Sequence, residues 1–167
     1  MSPTLSDSDL LAYSGEHVAY EIWMFFSLAR LLGDGQIKIM GHSDADAKLL
    51  NNALIEAFVL HLRNIIDFIY EDKRWETDIV AANYFPPGEW TRLRGDVNPV
   101  LEKAGKRANK EIAHLTTDRK AGSPPEKSWD FKGLANEIKP VLHLMVDKAL
   151  PSRLSLGVAA ALGTKKE

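Results

Sequence analysis

Apolar side chains recur with helical period along four long segments of this chain, and no alternating strand pattern or hairpin signal stands out. The first segment runs from about Asp9 to Leu32, with Leu11, Val18, Ile22, Phe25 and Ala29 as its apolar stripe and "GDG" as its stop. Tyr13, Tyr20, Met24 and Leu31 make a second apolar ridge roughly opposite the first, so this helix is either sandwiched in the core or paired with another subunit. The second segment runs from about Asp46 to Tyr70, with Asp44 or Asp46 as its cap. Leu50, Leu54, Ala57, His61, Ile65 and Phe68 form its stripe, and Ile55, Leu62, Ile66 and Ile69 widen it. Only a polar strip of Glu56, Arg63, Asn64 and Asp67 remains, which marks this as the central helix.

"TDIVAANYFPPGEW" then reads as one short helix broken by Pro86, Pro87 and Gly88. A third long helix starts with Asn98 as cap and Pro99 in the first turn, where a missing N–H costs nothing. Leu101, Ala104, Ala108, Ile112 and Leu115 are its stripe. Ser128 is the expected cap of the fourth, from about Trp129 to Leu150, with Phe131, Leu134, Ile138, Leu142 and Met145 inward and Pro140 outward. The pattern predicts an all-α, up-and-down bundle of four to five helices in a single domain over residues 1–150, followed by a mobile tail over 151–167.

Composition narrows the function classes. The 167 residues are 45% hydrophobic and 26% charged, as in an ordinary globular domain. The absence of cysteine excludes disulfides, thiol catalysis and cysteine-ligated metal sites. With no basic flank before an apolar run at the N-terminus, no secretory signal is expected, and "LSLGVAAALG" is too short to span a bilayer. The expected location is cytoplasmic, without a membrane partner.

The net charge is −2, yet residues 91–120 carry eight Lys/Arg against four Asp/Glu, a local +4 that leaves −6 on the rest. Such a patch suits one phosphodiester or nucleotide better than a long nucleic acid. At about 100° per residue, Lys103, Arg107, Lys110 and His114 fall on one ridge, well over 100° from the apolar stripe of the same helix. His114 is therefore not a core histidine of this helix. Glu111 offsets part of the ridge's self-repulsion, and a solvated basic face with Glu111 pairing Arg107 is the bland alternative.

Among the other histidines, His61 sits mid-stripe and reads as a core residue satisfied by a polar neighbour, while His17, His42 and His143 default to the surface. "EIAH" is a single Glu-x-x-His, whereas a di-iron bundle needs two such pairs and further inward glutamates. "GDGQIKIMG" lacks the features of a phosphate loop, and no nucleophile elbow occurs. No cofactor and no metal is expected.

"EAFVLHLRNIIDFIYED" together with "RANKEIAHLTTDR" resembles the HEPN superfamily of small helical domains, over roughly residues 45–150. The family motif is an arginine and a histidine separated by four to six residues, and Arg107 and His114 stand at that spacing. Where the family usually has a polar residue after the arginine, this chain has Ala108. Many members are bacterial ribonucleases of toxin–antitoxin, abortive-infection and CRISPR-associated systems, and others are binding modules.

The resemblance implies metal-independent RNA cleavage, in which the ribose 2′-OH attacks the adjacent phosphorus to give a 2′,3′-cyclic phosphate. His114 would take or relay the proton and Arg107 would meet the charge on the phosphoryl oxygens. Lys103, Lys110 and Arg119 would contact neighbouring phosphates, with Glu111 and Asn109 in support. The implied assembly is a homodimer, with RNA or a nucleotide as ligand and an antitoxin or other protein as candidate partner. Two rivals stand beside it: a non-catalytic helical module that binds a protein or a nucleotide, and a metal-dependent helical-bundle enzyme.

Overall fold

The structure, a computed structural model, describes residues 5–35, 37, 41, 43–71, 75–113 and 128–163, with only the backbone of 111–113. Every regular element among them is helical. In chain order these are α1 (Asp7–Tyr13), a π-helical turn (Ser14–Val18), α2 (Ala19–Gly33), α3 (Asp44–Tyr70), a 3₁₀ turn (Ala81–Tyr84), α4 (Glu89–Arg94), α5 (Pro99–Ala113), α6 (Phe131–Lys148) and α7 (Leu156–Ala161). The all-α bundle expected from the apolar periodicity is what forms. α2 packs on α3, α3 on α5, α5 on α6 and α6 back on α2, so four helices close a ring around one core. Phe25 stacks on Phe58 with centroids 5.3 Å apart, and Phe58 meets the ring of Phe131 edge-on at 4.9 Å. Leu62, Leu101, Ile138 and Leu142 fill the rest of that centre.

α1, the π turn and α2 form one uninterrupted helical run in place of the single regular helix expected over 9–32. The π turn changes which residues face inward. Its wider i→i+5 spacing accommodates an extra residue, so the buried face reads Leu10, Ser14, Val18, Ile22, Phe25, Ala29. Leu11, expected in the stripe, is turned to solvent. On the far side Tyr13, Tyr20 and Leu31 are exposed as the second ridge predicts, Trp23 joins them, and Met24 is half-buried against the core.

Two caps differ from expectation by a few residues. Ser43, rather than either aspartate, caps α3: its Oγ accepts from Asp46 N–H, and the Asp46 carboxylate accepts from Ser43 N–H in return. Asp130, rather than Ser128, caps α6 by accepting from Gly133 N–H. A carboxylate two residues nearer the apolar run can reach the first-turn donors, and the Ser128 carbonyl is used elsewhere, as described below. Asn98 does cap α5, its Oδ1 accepting from Leu101 N–H at 2.9 Å, while its Nδ2 donates to Glu137 on α6. Asn98→Ala should therefore cost about 1 kcal/mol, read as a lowered urea midpoint with unchanged slope.

The largest departure lies at the C-terminal end. Residues 151–163, expected in a tail, pack against the body of the domain. Leu154, Val158, Ala159 and Leu162 are buried, and α7 lies against α2 and the π turn. Ser155 N–H donates to the buried Ser14 Oγ at 2.9 Å. A Cβ on Gly15 would come within 3.0 Å of Ser155 Oγ, so glycine is what lets the two backbones approach. Arg153 donates to Asp7 at 2.7 Å and to the Asn83 carbonyl at 3.0 Å. No described helix is long and apolar enough to cross a membrane.

Candidate functional site

Among the described residues, two places combine polar side chains with aromatic rings. The first is the outer face of α5. Leu101, Ala104 and Ala108 are buried beneath it, while Lys103, Lys106 and Lys110 are exposed. Lys106 pairs with Glu102 one turn earlier. Arg107 departs from a fully solvated ridge. Its guanidinium lies 3.9 Å from the centroid of Trp129, and its Nη1 donates to the Ser128 carbonyl at 2.8 Å. The side chain is half-buried where the chain enters α6. Of the ridge and its supports, the structure places Lys103, Arg107, Asn109 and Lys110. His114, Arg119 and the side chain of Glu111 lie outside the described residues.

The second place was not visible in the sequence. A cavity of about 490 Å³ opens between α2, α3 and the segment 75–80. Tyr13, His17 and Glu21 line one wall, four residues apart in sequence. In a regular helix such a series drifts by about 40° per step, and the π turn between Ser14 and Val18 takes up that drift. Asn64, Asp67, Phe68 and Glu71 line the facing wall from α3. Trp75 and Asp78 stand in the closing segment, tied by Trp75 N–H donating to the Asp78 carboxylate at 2.9 Å.

Behind the cavity wall His61 Nδ1 lies 2.7 Å from Oε2 of the lining residue Glu21, and Asn64 Nδ2 donates to the same oxygen at 3.2 Å. His61 is buried, as expected for a core histidine satisfied by a polar neighbour, and Tyr20 covers its ring edge-on at 5.8 Å. Burial, with the nearby Glu21 charge, pushes the Tyr13 hydroxyl above its ordinary range, so it remains a neutral donor near Glu21 at physiological pH. Burial likewise raises the Tyr84 hydroxyl, which has no hydrogen-bond partner among the described residues.

The signal that could have found this site was a pair of matching runs. Tyr13, His17 and Glu21 recur every four residues, and Asn64, Asp67 and Glu71 recur every three or four. Asn64 and Asp67 read only as part of the polar strip of the central helix because the helix facing them was unknown. His17, expected on the surface, is exposed, with its ring 4.6 Å from that of Tyr13; His143 is half-buried, and His42 lies outside the described residues. Among the described residues no group of three or more His, Cys, Asp or Glu is arranged to hold a metal ion. The chain matches no protein-family model, no curated protein and no solved structure significantly.

Proposed function

We propose that this chain is a HEPN-like domain that binds or cleaves RNA along α5, without a metal, as a cytoplasmic homodimer in a bacterial defence or toxin–antitoxin setting. The observation that carries the reading is a guanidinium held in place on an aromatic ring between exposed cations. Arg107 is oriented by Trp129 and Ser128, with Lys103 one turn before it and Lys110 one turn after. An oriented guanidinium meets a phosphoryl group with little ordering cost. His114, at the family spacing from Arg107, supplies the proton transfer. The exposed ridge of Tyr20, Trp23 and Leu31 offers the apolar surface for a second copy or an antitoxin.

The test is incubation of the full chain with single-stranded RNA in EDTA. The expected products end in 2′,3′-cyclic phosphate, and His114→Ala should slow their formation by about 100-fold or more. Joint replacement of Lys103 and Lys110 by alanine should lower the salt dependence of RNA binding by roughly 1.4 in log–log slope, two phosphate contacts' worth. Cleavage that persists undiminished in His114→Ala sinks the catalytic assignment, and absence of any RNA binding sinks the whole reading.

One observation favours a second reading, the non-catalytic helical module. Arg107 already serves the fold by tying α5 to the start of α6, and Ala108 beside it is fully buried. RNA binding without cleavage, or a stably co-purifying protein in place of RNA, is the result that selects it.

A further inference from the structure

We propose that the cavity between α2, α3 and the 75–80 segment binds a small organic cation, a primary amine or guanidinium, whose charged head is held by Glu21. This site is separate from the α5 ridge and does not depend on the RNA reading.

The volume comes first. About 490 Å³ lies within the range of about 300–1,000 Å³ typical of small-ligand pockets. The sign of the charge comes next. Glu21, Asp67, Glu71 and Asp78 all line the cavity, and no Lys or Arg does among the described residues. An anion such as a phosphate would be repelled by the Glu21 carboxylate, and a cation would be drawn to it. Asp67 is paired with Arg63, Nε to Oδ2 at 3.7 Å, and Glu71 and Asp78 have interactions of their own within the chain, so recognition of a cation falls on Glu21.

Glu21 is prepared for that role. Both of its hydrogen bonds, from His61 and from Asn64, converge on Oε2, and Oε1 has no partner among the described residues. A buried histidine and a half-buried asparagine are thus committed to orienting one carboxylate at a cavity wall.

The remaining surface is aromatic. Tyr13 and Phe68 line the two walls, and Trp75 stands at the mouth with 73% of its surface exposed. A ring face so placed attracts an ammonium or guanidinium within about 6 Å of its centroid. Trp75 therefore offers its ring to the organic part of the cation while Glu21 takes the head group. A bare inorganic cation would use neither the rings nor the volume.

Agmatine and spermidine, titrated calorimetrically into the full chain, test the proposal. Saturable binding of at least one is expected. Glu21→Gln, which keeps the shape and can still accept from His61, should weaken it at least tenfold. Trp75→Ala should weaken it several-fold, and its exposed position preserves the fold if Glu21→Gln proves unstable in a thermal melt.

Each contrary result overturns the proposal. These are no heat from either amine at millimolar concentration, equal affinity in the parent and both variants, and displacement of the amine by inorganic phosphate in the parent but not in Glu21→Gln. An arginine-rich peptide that binds where free agmatine does not would move the site from a small-molecule pocket to a protein contact, and overturns it equally.

Discussion

A chain ending at Leu150 should lose its cooperative thermal transition or melt roughly 10 °C or more below the full chain, while one ending at Gly163 should melt with it. The shorter chain removes Leu154, Val158 and Leu162, each buried against the body of the domain. Burying one such side chain is worth about 1.5–3 kcal/mol, and part of that gain is offset by ordering the segment. A net loss of about 3 kcal/mol corresponds to roughly 6–12 °C in a domain of this size.

Polar losses add to it. Ser14, fully buried in the π turn, would lose the donor it accepts from at Ser155, and Asp7 would lose Arg153 and Ser152 together. The hydrogen bonds of Ser152 and Arg153 hold the Asp7 carboxyl below the usual carboxylate range. Differential scanning calorimetry on the three chains makes the comparison. Equal melting of all three would show that residues 151–163 are the tail that their short apolar run suggests.

Trp90→Ala is expected to destabilise by about 3–5 kcal/mol, the range for truncating a fully buried large aromatic, with Trp90→Phe falling between it and the parent. Trp90 is 2% exposed and stacks on Phe85 with centroids 4.8 Å apart. Its indole N–H also donates to the Ile69 carbonyl at 2.8 Å. That carbonyl is one of the last four of α3, which no further helical turn can satisfy. Arg94 serves the next one, donating to the Tyr70 carbonyl at 3.2 Å and lying over the Tyr70 ring.

Trp90→Phe keeps much of the apolar volume and removes the donor, leaving a buried acceptor at a cost of about 1–3 kcal/mol. Urea midpoints order the three proteins. A Trp90→Ala midpoint within about 0.5 kcal/mol of the parent, the range of an ordinary surface change, would mean that the short helix only decorates the end of α3.

These two results touch what the sequence showed and what it hid. α3 and α5 were legible because long apolar stripes and a single good cap at Asn98 leave little choice of period. The inward face of α1 was read one residue out, at Leu11 in place of Leu10, because a π turn interrupts the period used to extrapolate. The caps of α3 and α6 were misassigned among neighbouring Ser and Asp residues, any of which can accept from a first-turn N–H. α7 was hidden because "LGVAAA" is short and its burial depends on Gly15 and Ser14, about 140 residues away.

The candidate sites divide in the same way. The α5 ridge could be drawn from the 100° rotation alone, whereas the turning of Arg107 toward Trp129 could not, since nothing local joins them. The Glu21–His61–Asn64 group spans two helices and 43 residues. Only the pairing of α2 with α3 brings it together.

The bonds from Arg153 to Asp7 span 146 positions and join one end of the domain to the other. During synthesis the first helix is therefore made long before the residues that complete its surroundings. The face of α2 and the π turn that α7 covers stays open to water until α7 itself has been made. Closure of so long a loop places this docking step late in folding. In that interval the exposed face is open to chaperones or to a second nascent copy, and α7 ends the exposure.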